Sequence, residues 1–426
     1  MPVADYAPSL PQDERRTLPR YVAPLLIVLV AVLLQLLAAG VFEPYLRLSL
    51  DAYVQSILMD VGTSVIMAVS LNIVNGYTGQ FSIGHAAFYA IGAYTAAAIT
   101  YYGSLLLFDA SFIQSTWGPW SGQVGLFLVA LVMGAVAAGL AGWVVGLPSL
   151  RLKGDYLAIV TLGFGEIVRI LLQQTNHQIS TREELKNAPL GKLLPPPLGG
   201  SLGFASTPTF TNLFWVSLLV GVTLLVAWRL KKSTFGRSMI AIRENEIAAE
   251  SMGVNVTRLK VWAFVIAAAF AGVAGALRAH KLGNTIGPND AGFVESFNIV
   301  IMVVLGGLGS ISGAALAAVL YVVAQQWLLD PTHVWHVGLI VLTVRLIVWP
   351  AGRVRAAIWG AGLIGGVEGL RALADVAGVS LGEYRIVLFA LTLILVMILR
   401  PGGLFGTHEI SDLPRMRRRI GEEVPT

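Results

Sequence analysis

The charged residues of 231–260 are the part of this chain best suited to bind another protein. Nine Lys, Arg and Glu side chains lie there between two long apolar runs. Glu244 and Glu246 occupy positions where a helix N-terminus favours negative charge. Gly253 is suited to a helix C-terminus, and Thr257 can cap the next helix. We predict a short helix on which a partner docks, although cytosolic loops are also rich in Lys and Arg without any partner.

Polar residues also interrupt the apolar segment 76–94. Glycines at 76, 79, 84 and 92 are interspersed with hydrogen-bonding side chains, so an unbroken helix facing lipid is not expected. Broken helices are tolerated at membrane depth only against protein or a water-filled cavity. We therefore predict that this segment lines a transport pathway through Thr78, Gln80, Ser82, His85 and Tyr94. His85 has a second interpretation, as a hydrogen-bonded residue of the protein core.

Two further segments contain residues that are unusual in a membrane span. In 154–172, Thr161 and Glu166 are additional pathway candidates, and Arg169 lies three residues after Glu166 on the same helix face. A mutually neutralising pair near the membrane boundary is the more common interpretation of Glu166 and Arg169. In 303–320, glycines at 306, 307, 309 and 313 predict a bend or a close approach to another helix.

Single ionisable residues occur inside other apolar runs, namely Asp60, Glu295 and Arg345. A charge at the centre of a bilayer is costly, so such residues usually lie at span ends or pair between helices. Proton relay in a secondary transporter is the functional alternative. Both interpretations stay open at this point.

Missing motifs limit the chemistry of the chain. There is no cysteine, and the six histidines have no metal-ligand spacing such as HExxH. No GxxxxGK[ST] phosphate-binding loop is present, since Gly191 and Lys192 are followed by Leu193. We predict that the chain is not an enzyme and binds no metal or cofactor. If ATP drives its activity, another subunit hydrolyses the ATP.

Composition predicts the elements that hold these residues. Hydrophobic residues make up 56% of the chain and charged residues 12%. The apolar residues fall in runs of about 20, which is the length needed to cross a bilayer core of ~30 Å. We predict an all-α fold, a polytopic transmembrane helical bundle of about 10–12 spans with broken helices and a short cytosolic helix. The predicted spans are 21–40, 52–74, 82–100, 124–146, 156–173, 213–230, 259–279, 293–306, 312–329, 334–350, 356–374 and 384–400.

Loop charge predicts the topology, because Lys and Arg are concentrated on the cytosolic side of membrane proteins. Residues 1–20 and the basic segment 407–426 are predicted to be cytosolic tails of a transmembrane domain at 21–406. Residues 231–260 lie on the same side, and residues 174–212 form an external loop. The run at 21–40 is interpreted as a retained span, with a cleaved signal peptide as the alternative. We predict a multi-pass protein of the bacterial cytoplasmic membrane.

Several long strings occur together and in one order: SLNIVNGYTGQFSIGHAAFYAIGAYTAA, LRLKGDYLAIVTLGFGEIVRILL, STFGRSMIAIRENEIAAESMGVNVTRLKVWAFVIAAAFAGVAGAL and VVLGGLGSISGA. They resemble the LivM-type permease of branched-chain amino-acid ABC importers. The resemblance covers about 72–313 and resumes at YRIVLFALTLILVMILRPGGLFG. Residues 333–380 depart from the pattern of that family and are predicted to add a helix pair.

The resemblance implies a role for 239–256 as the coupling helix that contacts an ATPase. The family pattern is Glu-Ala-Ala, three residues, then Gly. Here Ala248, Ala249 and Gly253 match it, whereas Ile247 stands at the acidic position. The implied ATPase-coupling residues are Arg243, Glu244, Glu246, Ala248, Ala249, Glu250 and Gly253.

The resemblance also implies partners and a mechanism. An external solute-binding protein would deliver leucine, isoleucine or valine to this chain and a homologous permease, while ATP and Mg act on two ABC ATPase subunits. Permeases for urea, amides or other amino acids belong to the same family and are an alternative. An ion-coupled secondary transporter, in which Asp60, Glu166 or Glu295 titrates, is an alternative from another class, and a passive channel is a third.

Overall fold

The computed structural model describes residues 22–41, 51–107, 123–149, 154–281 and 285–329, together with 402, 403, 406 and 409. The predicted spans 334–350, 356–374 and 384–400 and the tail 1–20 lie outside the described residues. So do Arg345 and all but Glu409 of the tail 407–426.

The described chain is a bundle of α-helices, and no strand occurs in these ranges. Six of its helices are long and apolar enough to cross a membrane. This confirms the predicted all-α membrane bundle. The helices are α1 Val22–Ala38, α2 Ala52–Asn72, α3 His85–Leu107, α4 Gln123–Ser149, α5 Asp155–Gln173, α6 Arg182–Lys186, α7 Leu190–Leu193, α8 Leu213–Lys232, α9 Thr234–Glu244, α10 Glu246–Ser251, α11 Val256–Ala279, α12 Phe293–Gly306 and α13 Ile311–Leu329.

Helix α11 lies at the centre of the bundle and packs closely against α3 and α4 through small residues. A Cβ atom added to Gly92 would lie 2.3 Å from the Cα of Gly272, so the backbones of α3 and α11 approach at a distance that only glycine permits. A Cβ atom on Gly142 of α4 would lie 2.6 Å from the Cβ of Ala268. Because lipid is as apolar as the helix faces, this close packing is what holds such helices together.

Two helices are broken, as the glycine patterns predicted. Helix α2 continues into a wider turn, Ile73–Tyr77, and residues 78–84 are non-helical before α3 begins at His85. We call 73–84 the first break. Helix α12 ends at Gly306, and residues 307–310, the second break, precede α13. Gly307 and Gly309 have φ values of 108° and 92°, which a residue with a side chain rarely adopts.

The region predicted as one helix at 239–256 contains two helices, α9 and α10. Asn245 between them is extended, with φ −159° and ψ 109°, and its Oδ1 accepts a hydrogen bond of 3.0 Å from the Ala248 N–H. Asn favours this N-cap over a helix interior because its short side chain competes for backbone N–H groups. The placement of Glu244 at a helix N-terminus was therefore wrong, since Glu244 is the last residue of α9. Glu246 does lie in the first turn of α10.

The ends of α10 and α11 test the predicted caps. Gly253 has φ +82°, and the Val254 N–H donates to Ala249 O at 3.1 Å, which closes the C-terminus of α10 as predicted. The cap of α11 was assigned to Thr257, and that prediction was wrong. Asn255 is the N-cap, because its Oδ1 accepts from the Arg258 N–H at 2.9 Å.

Residues 174–212 are folded against the bundle. The side-chain amide of Asn176 donates to the carbonyls of Gly191, Lys192 and Pro195. Phe204 and Ile286 exchange backbone hydrogen bonds of 2.8 and 3.0 Å. These bonds fix the segment next to the connection between α11 and α12. Its external position remains a prediction.

Candidate functional site

The two breaks meet at one end of the bundle and are joined by Asn72. The Asn72 Nδ2 group donates to Ser310 O at 3.0 Å, and its Oδ1 accepts from the Gly309 N–H at 2.8 Å. A Cβ atom on Gly76 would lie 2.4 Å from the Gly309 nitrogen. The backbones of the two breaks are therefore in direct contact, and one buried side chain links them.

Arg243 connects this contact to helix α9. Its Nη1 group donates to Gly76 O at 2.8 Å, and its Nε and Nη2 groups donate to the Glu244 carboxylate at 3.1 and 2.6 Å. The side chain also lies against Gly79, where an added Cβ would be 2.8 Å from the Arg243 Cγ. Glu244 thus orients the guanidinium that holds the first break, and Arg243 ties α9 to that break.

Lys231, at the end of α8, holds the second break. Its Nζ group donates to Gly309 O at 2.6 Å and pairs with the Glu409 carboxylate at 2.5 Å. The same carboxylate accepts hydrogen bonds from the backbone N–H groups of Ile311 and Ser312, at 2.9 and 3.0 Å. Glu409 therefore caps α13, where a negative charge is favoured.

Two opposing effects act on the pKa of Glu409. Burial raises the pKa of this carboxyl group, but the hydrogen bonds from Lys231 and from Ser312 and Ile311 outweigh burial, and the net pKa lies below its usual value. We call Asn72, Gly76, Lys231, Arg243 and Glu409, with residues 307–310, the break junction.

Helix α10 is anchored on one face and exposed on the other. Ala249 is buried, and Glu246 forms a 2.8 Å ion pair with Lys260 of α11, whose side chain is 6% exposed. These two coupling candidates hold α10 in place. Ile247 and Met252 are 73% and 83% exposed. Ala248, Glu250 and Gly253 are exposed on the same helix and turn.

The exposed Ile247 and Met252 were missed as candidates, because a single apolar residue in a sequence does not show which face it occupies. One sign in the sequence indicated a role for Ile247, its place at the acidic position of the family pattern, and none indicated a role for Met252. Ile247 and Met252 therefore join the exposed residues of α10 and its turn as candidates for partner contact.

Five of the predicted pathway residues lie together at the first break, and all five are buried: Thr78, Gln80, Ser82, His85 and Thr161. The Thr161 hydroxyl accepts from the Ile83 N–H at 3.1 Å, and His85 Nε2 lies 2.8 Å from the Ser70 hydroxyl. His85 is therefore a hydrogen-bonded core residue. Gln80 Nε2 and Ser82 Oγ are buried and have no hydrogen-bond partner in the described part of the chain.

Tyr94 and Glu166 lie away from that group. The Tyr94 hydroxyl donates to Ile286 O at 3.0 Å. Glu166 forms a 2.6 Å ion pair with Arg169, which confirms the mutually neutralising pair, and its second oxygen accepts from the Phe293 N–H at 3.2 Å. Glu166 thus stabilises the N-terminus of α12.

A cavity of about 240 Å³ lies between α2, α3, α11, α12 and α13, on the side of the bundle away from α9 and α10. Its charged lining residues are Asp60, Arg278, Asp290 and Glu295. The Asp60 carboxylate pairs with Arg278 at 2.8 Å and with Lys281 at 2.7 Å, so the interhelical pairing expected for Asp60 is confirmed.

The sequence did not predict this cavity. Asp60 and Arg278 are 218 positions apart, and spacing alone cannot show that they meet. Arg278 lies at the end of an apolar run, where a positive charge needs no special explanation. Among the described residues no group of three or more His, Cys, Asp or Glu side chains is arranged to hold a metal ion.

Comparison with known proteins supplies the family context. Residues 53–350 match the family described as branched-chain amino acid transport system / permease component. The chain is 37% identical to the high-affinity branched-chain amino acid transport system permease protein LivM of Salmonella typhimurium over 300 residues. It is also 37% identical to the LivM protein of Escherichia coli over 307 residues. Each match covers 67% of this chain and 66% of the relative.

A more distant match is informative as well. The chain is 27% identical over 297 residues to the permease protein LivH of Salmonella typhimurium. This match covers 68% of this chain and 90% of LivH. No solved structure matches the chain. The relatives are named as permeases of transport systems, and six helices of the described bundle can cross a membrane. The chain is thus a multi-pass membrane protein.

Proposed function

This chain belongs to the branched-chain amino acid transport system permease family, and on that premise we propose that it is the permease subunit of an ABC importer for leucine, isoleucine or valine. An external solute-binding protein delivers the amino acid to this subunit and a homologous permease. Two ABC ATPase subunits bind ATP and Mg and drive the cycle, and this chain binds neither. Its relatives include permeases named LivM and permeases named LivH, which supports a complex of two homologous permease subunits.

The observation that supports this proposal most is the hydrogen bond from Arg243 to Gly76 O. The ATPase contacts the exposed face of α10, formed by Ile247, Ala248 and Glu250. Because α10 is tied to α11 and follows α9 directly, a push on α10 moves α9. Arg243 transmits that movement to the first break, and Asn72 transmits it to the second. The breaks then switch the pathway between its two sides, as in alternating access.

The proposed orientation follows from that docking surface. Residues 231–260 and both tails face the cytosol, 174–212 face outward, and the membrane is the bacterial cytoplasmic membrane. Thr78, Gln80, Ser82, His85 and Thr161 remain the proposed pathway residues at the first break. Tyr94 and Glu166 hydrogen-bond to the backbone at Ile286 and Phe293. In this proposal they affect the pathway only by positioning the connection 286–293.

Co-purification from native membranes tests the proposal. In mild detergent, mass spectrometry is expected to find a second permease and ABC ATPases with the parental chain. The test variant is Gly253→Trp, because a φ of +82° strains any residue other than glycine there and a Trp side chain would stand in the docking surface. The matched control is Gly191→Trp, at a glycine that likewise has no atom within 4 Å of an added Cβ.

The ATPases are expected to be lost from the Gly253→Trp sample and retained in the Gly191→Trp sample. An ion-coupled secondary transporter is the second candidate function, favoured by Glu295, a carboxylate inside the bundle. Purification of the chain alone in all three samples, with leucine uptake that collapses with the proton or sodium gradient, would support that candidate and contradict the ABC proposal. Competition of leucine uptake by urea or amides would indicate the other substrate classes of the family.

A further inference from the structure

We propose that the cavity between α2, α3, α11, α12 and α13 is the substrate site of this permease. The inference rests on the proposed function and deepens it by assigning groups of the substrate to residues. Glu295 and Asp290 hold the α-ammonium group, and the α-carboxylate lies beside Arg278. None of the pathway residues predicted from the sequence lines this cavity.

The cavity has an excess of negative charge. Asp60, Asp290 and Glu295 line it, whereas the nearby cations are Arg278 in its wall and Lys281 beside it. Both cations pair with Asp60, at 2.8 and 2.7 Å. Within the described ranges, neither Asp290 nor Glu295 forms an ion pair. A partly buried carboxylate without a cation is unfavourable, and the ammonium group of a bound amino acid supplies one.

Neutral contacts orient these two carboxylates without neutralising them. Glu295 accepts from the Asn298 side-chain amide at 3.2 Å, and Asp290 accepts from the Gly287 N–H at 3.1 Å. Each carboxylate is therefore held in position. The remaining lone pairs of each group can accept from an ammonium group.

The positive side of the cavity suits a carboxylate. Arg278 lines the cavity together with Asp60, Asp290 and Glu295, so the guanidinium and the carboxylates face one space. A guanidinium is a planar fork of N–H donors that matches carboxylate geometry. Tyr89 lines the same cavity and brings a hydroxyl group to it. A zwitterion thus finds groups of both charges in the lining of one cavity.

The rest of the wall combines apolar side chains with the polar Thr63, Ser64, Gln325 and Gln326, and the volume is small. Met67, Ile299 and Met302 line the cavity and are 4%, 1% and 3% exposed. Its volume of about 240 Å³ is below the roughly 300–1,000 Å³ of sites for larger organic ligands. A single amino acid with an aliphatic side chain fits this combination of walls. Urea and short amides have neither the ammonium group nor the side chain.

Direct binding tests the site. The complex that contains this chain, placed in lipid nanodiscs without solute-binding protein, is titrated with radiolabelled leucine and competed with 4-methylpentanoate. This competitor has the carbon skeleton and carboxylate of leucine but no ammonium group. The test variants are Glu295→Gln and Asp290→Asn, which keep their neutral hydrogen bonds. Glu184→Gln is the control, because Glu184 is an exposed partner of Lys192 outside the cavity.

The parental complex and the control are expected to prefer leucine. Glu295→Gln is expected to weaken leucine binding about tenfold or more, the factor for a lost charge-assisted hydrogen bond, with little change for 4-methylpentanoate. Asp290→Asn is expected to act in the same sense. No leucine binding by the parental complex, or an unchanged preference in both variants, would overturn the inference. The proposed function fails separately, if the parental complex shows no ATP-driven leucine accumulation.

Discussion

At the break junction, charged side chains bind backbone groups, whereas at the cavity they face open space. Arg243 and Lys231 each donate to the carbonyl of a broken helix, and each is paired with a Glu. In the cavity, the hydrogen bonds that Glu295 and Asp290 accept from described residues come from neutral groups. The first arrangement fixes the two breaks to α8 and α9, and the second leaves charge for a ligand. The difference separates a mechanical contact from a binding site within one bundle.

Removal of the Arg243 side chain is expected to have the largest effect. Arg243→Ala deletes the bond to Gly76 O, so ATP hydrolysis no longer moves the breaks. We expect leucine uptake to fall roughly ten- to hundredfold, as for loss of a charged hydrogen bond of about 1.5–3 kcal/mol, while the ATPases still co-purify. Arg237→Ala on the same helix is the matched control, because Arg237 is exposed and its hydrogen bond in the described structure, to Lys232 O at 3.3 Å, does not reach either break. Equal uptake by both variants would show that α9 does not act through Arg243.

A methyl group at Gly76 is expected to force the breaks apart. The Cβ of Gly76→Ala would lie 2.2 Å from Asn72 Oδ1 and 2.4 Å from the Gly309 nitrogen. Overpacking of this kind costs about 1–3 kcal/mol of stability, measured by thermal unfolding of the purified complex. Gly163→Ala, where an added Cβ meets nothing within 4 Å, is expected to be neutral. A Gly76→Ala protein as stable as the control would contradict the close contact of the two breaks.

The Glu409 contact is expected to weaken at low pH. The pKa of Glu409 lies below its ordinary value of 4.5 in the folded chain, so the unfolded chain binds more protons as the pH falls. Its contribution to stability is therefore complete above about pH 4.5 and is lost as the pH falls through the folded pKa. Glu409→Gln removes this dependence. The difference in melting temperature between parent and variant is expected to shrink below about pH 4.5. A difference that grows as the pH falls would contradict the lowered pKa of Glu409.

The smallest expected effect concerns the start of α11. Asn255→Ala removes the cap of this helix and is expected to cost about 1 kcal/mol, again by thermal unfolding. Thr257→Ala is the matched comparison and is expected to be close to neutral, because the Thr257 side chain is exposed and does not cap the helix. If Thr257→Ala were more destabilising than Asn255→Ala, Thr257 would be the cap, as the sequence suggested.

The sequence predicted local features of the fold well. Apolar runs placed the described spans, and the glycines at 76, 79, 307 and 309 predicted both breaks, since positive φ and close backbone approach require that residue. The split at Asn245 was missed because Ile247, Ala248 and Ala249 favour a continuous helix, and only the hydrogen bond of the Asn side chain ends one helix and begins another.

The functional contacts join residues that are distant in the sequence. Arg243 and Gly76 are 167 positions apart, and Lys231 and Glu409 are 178 apart. No periodicity or spacing links such pairs. The pathway prediction relied on broken-helix character, which located the first break correctly but gave no information about the cavity, where ordinary helices supply the lining.

The central claim is that α9 and the breaks move together when the ATPases act. Because the chain contains no cysteine, single cysteines can carry spin labels at Arg237 of α9, at Leu308 of the second break and at Leu202 in 174–212, all of them exposed in the structure. Pulsed electron spin resonance then measures two distances in the nucleotide-free and ATP-trapped complex. The Arg237–Leu308 distance is predicted to stay constant while the Arg237–Leu202 distance changes. If the Arg237–Leu308 distance changed as much as the Arg237–Leu202 distance, α9 and the second break would not move together.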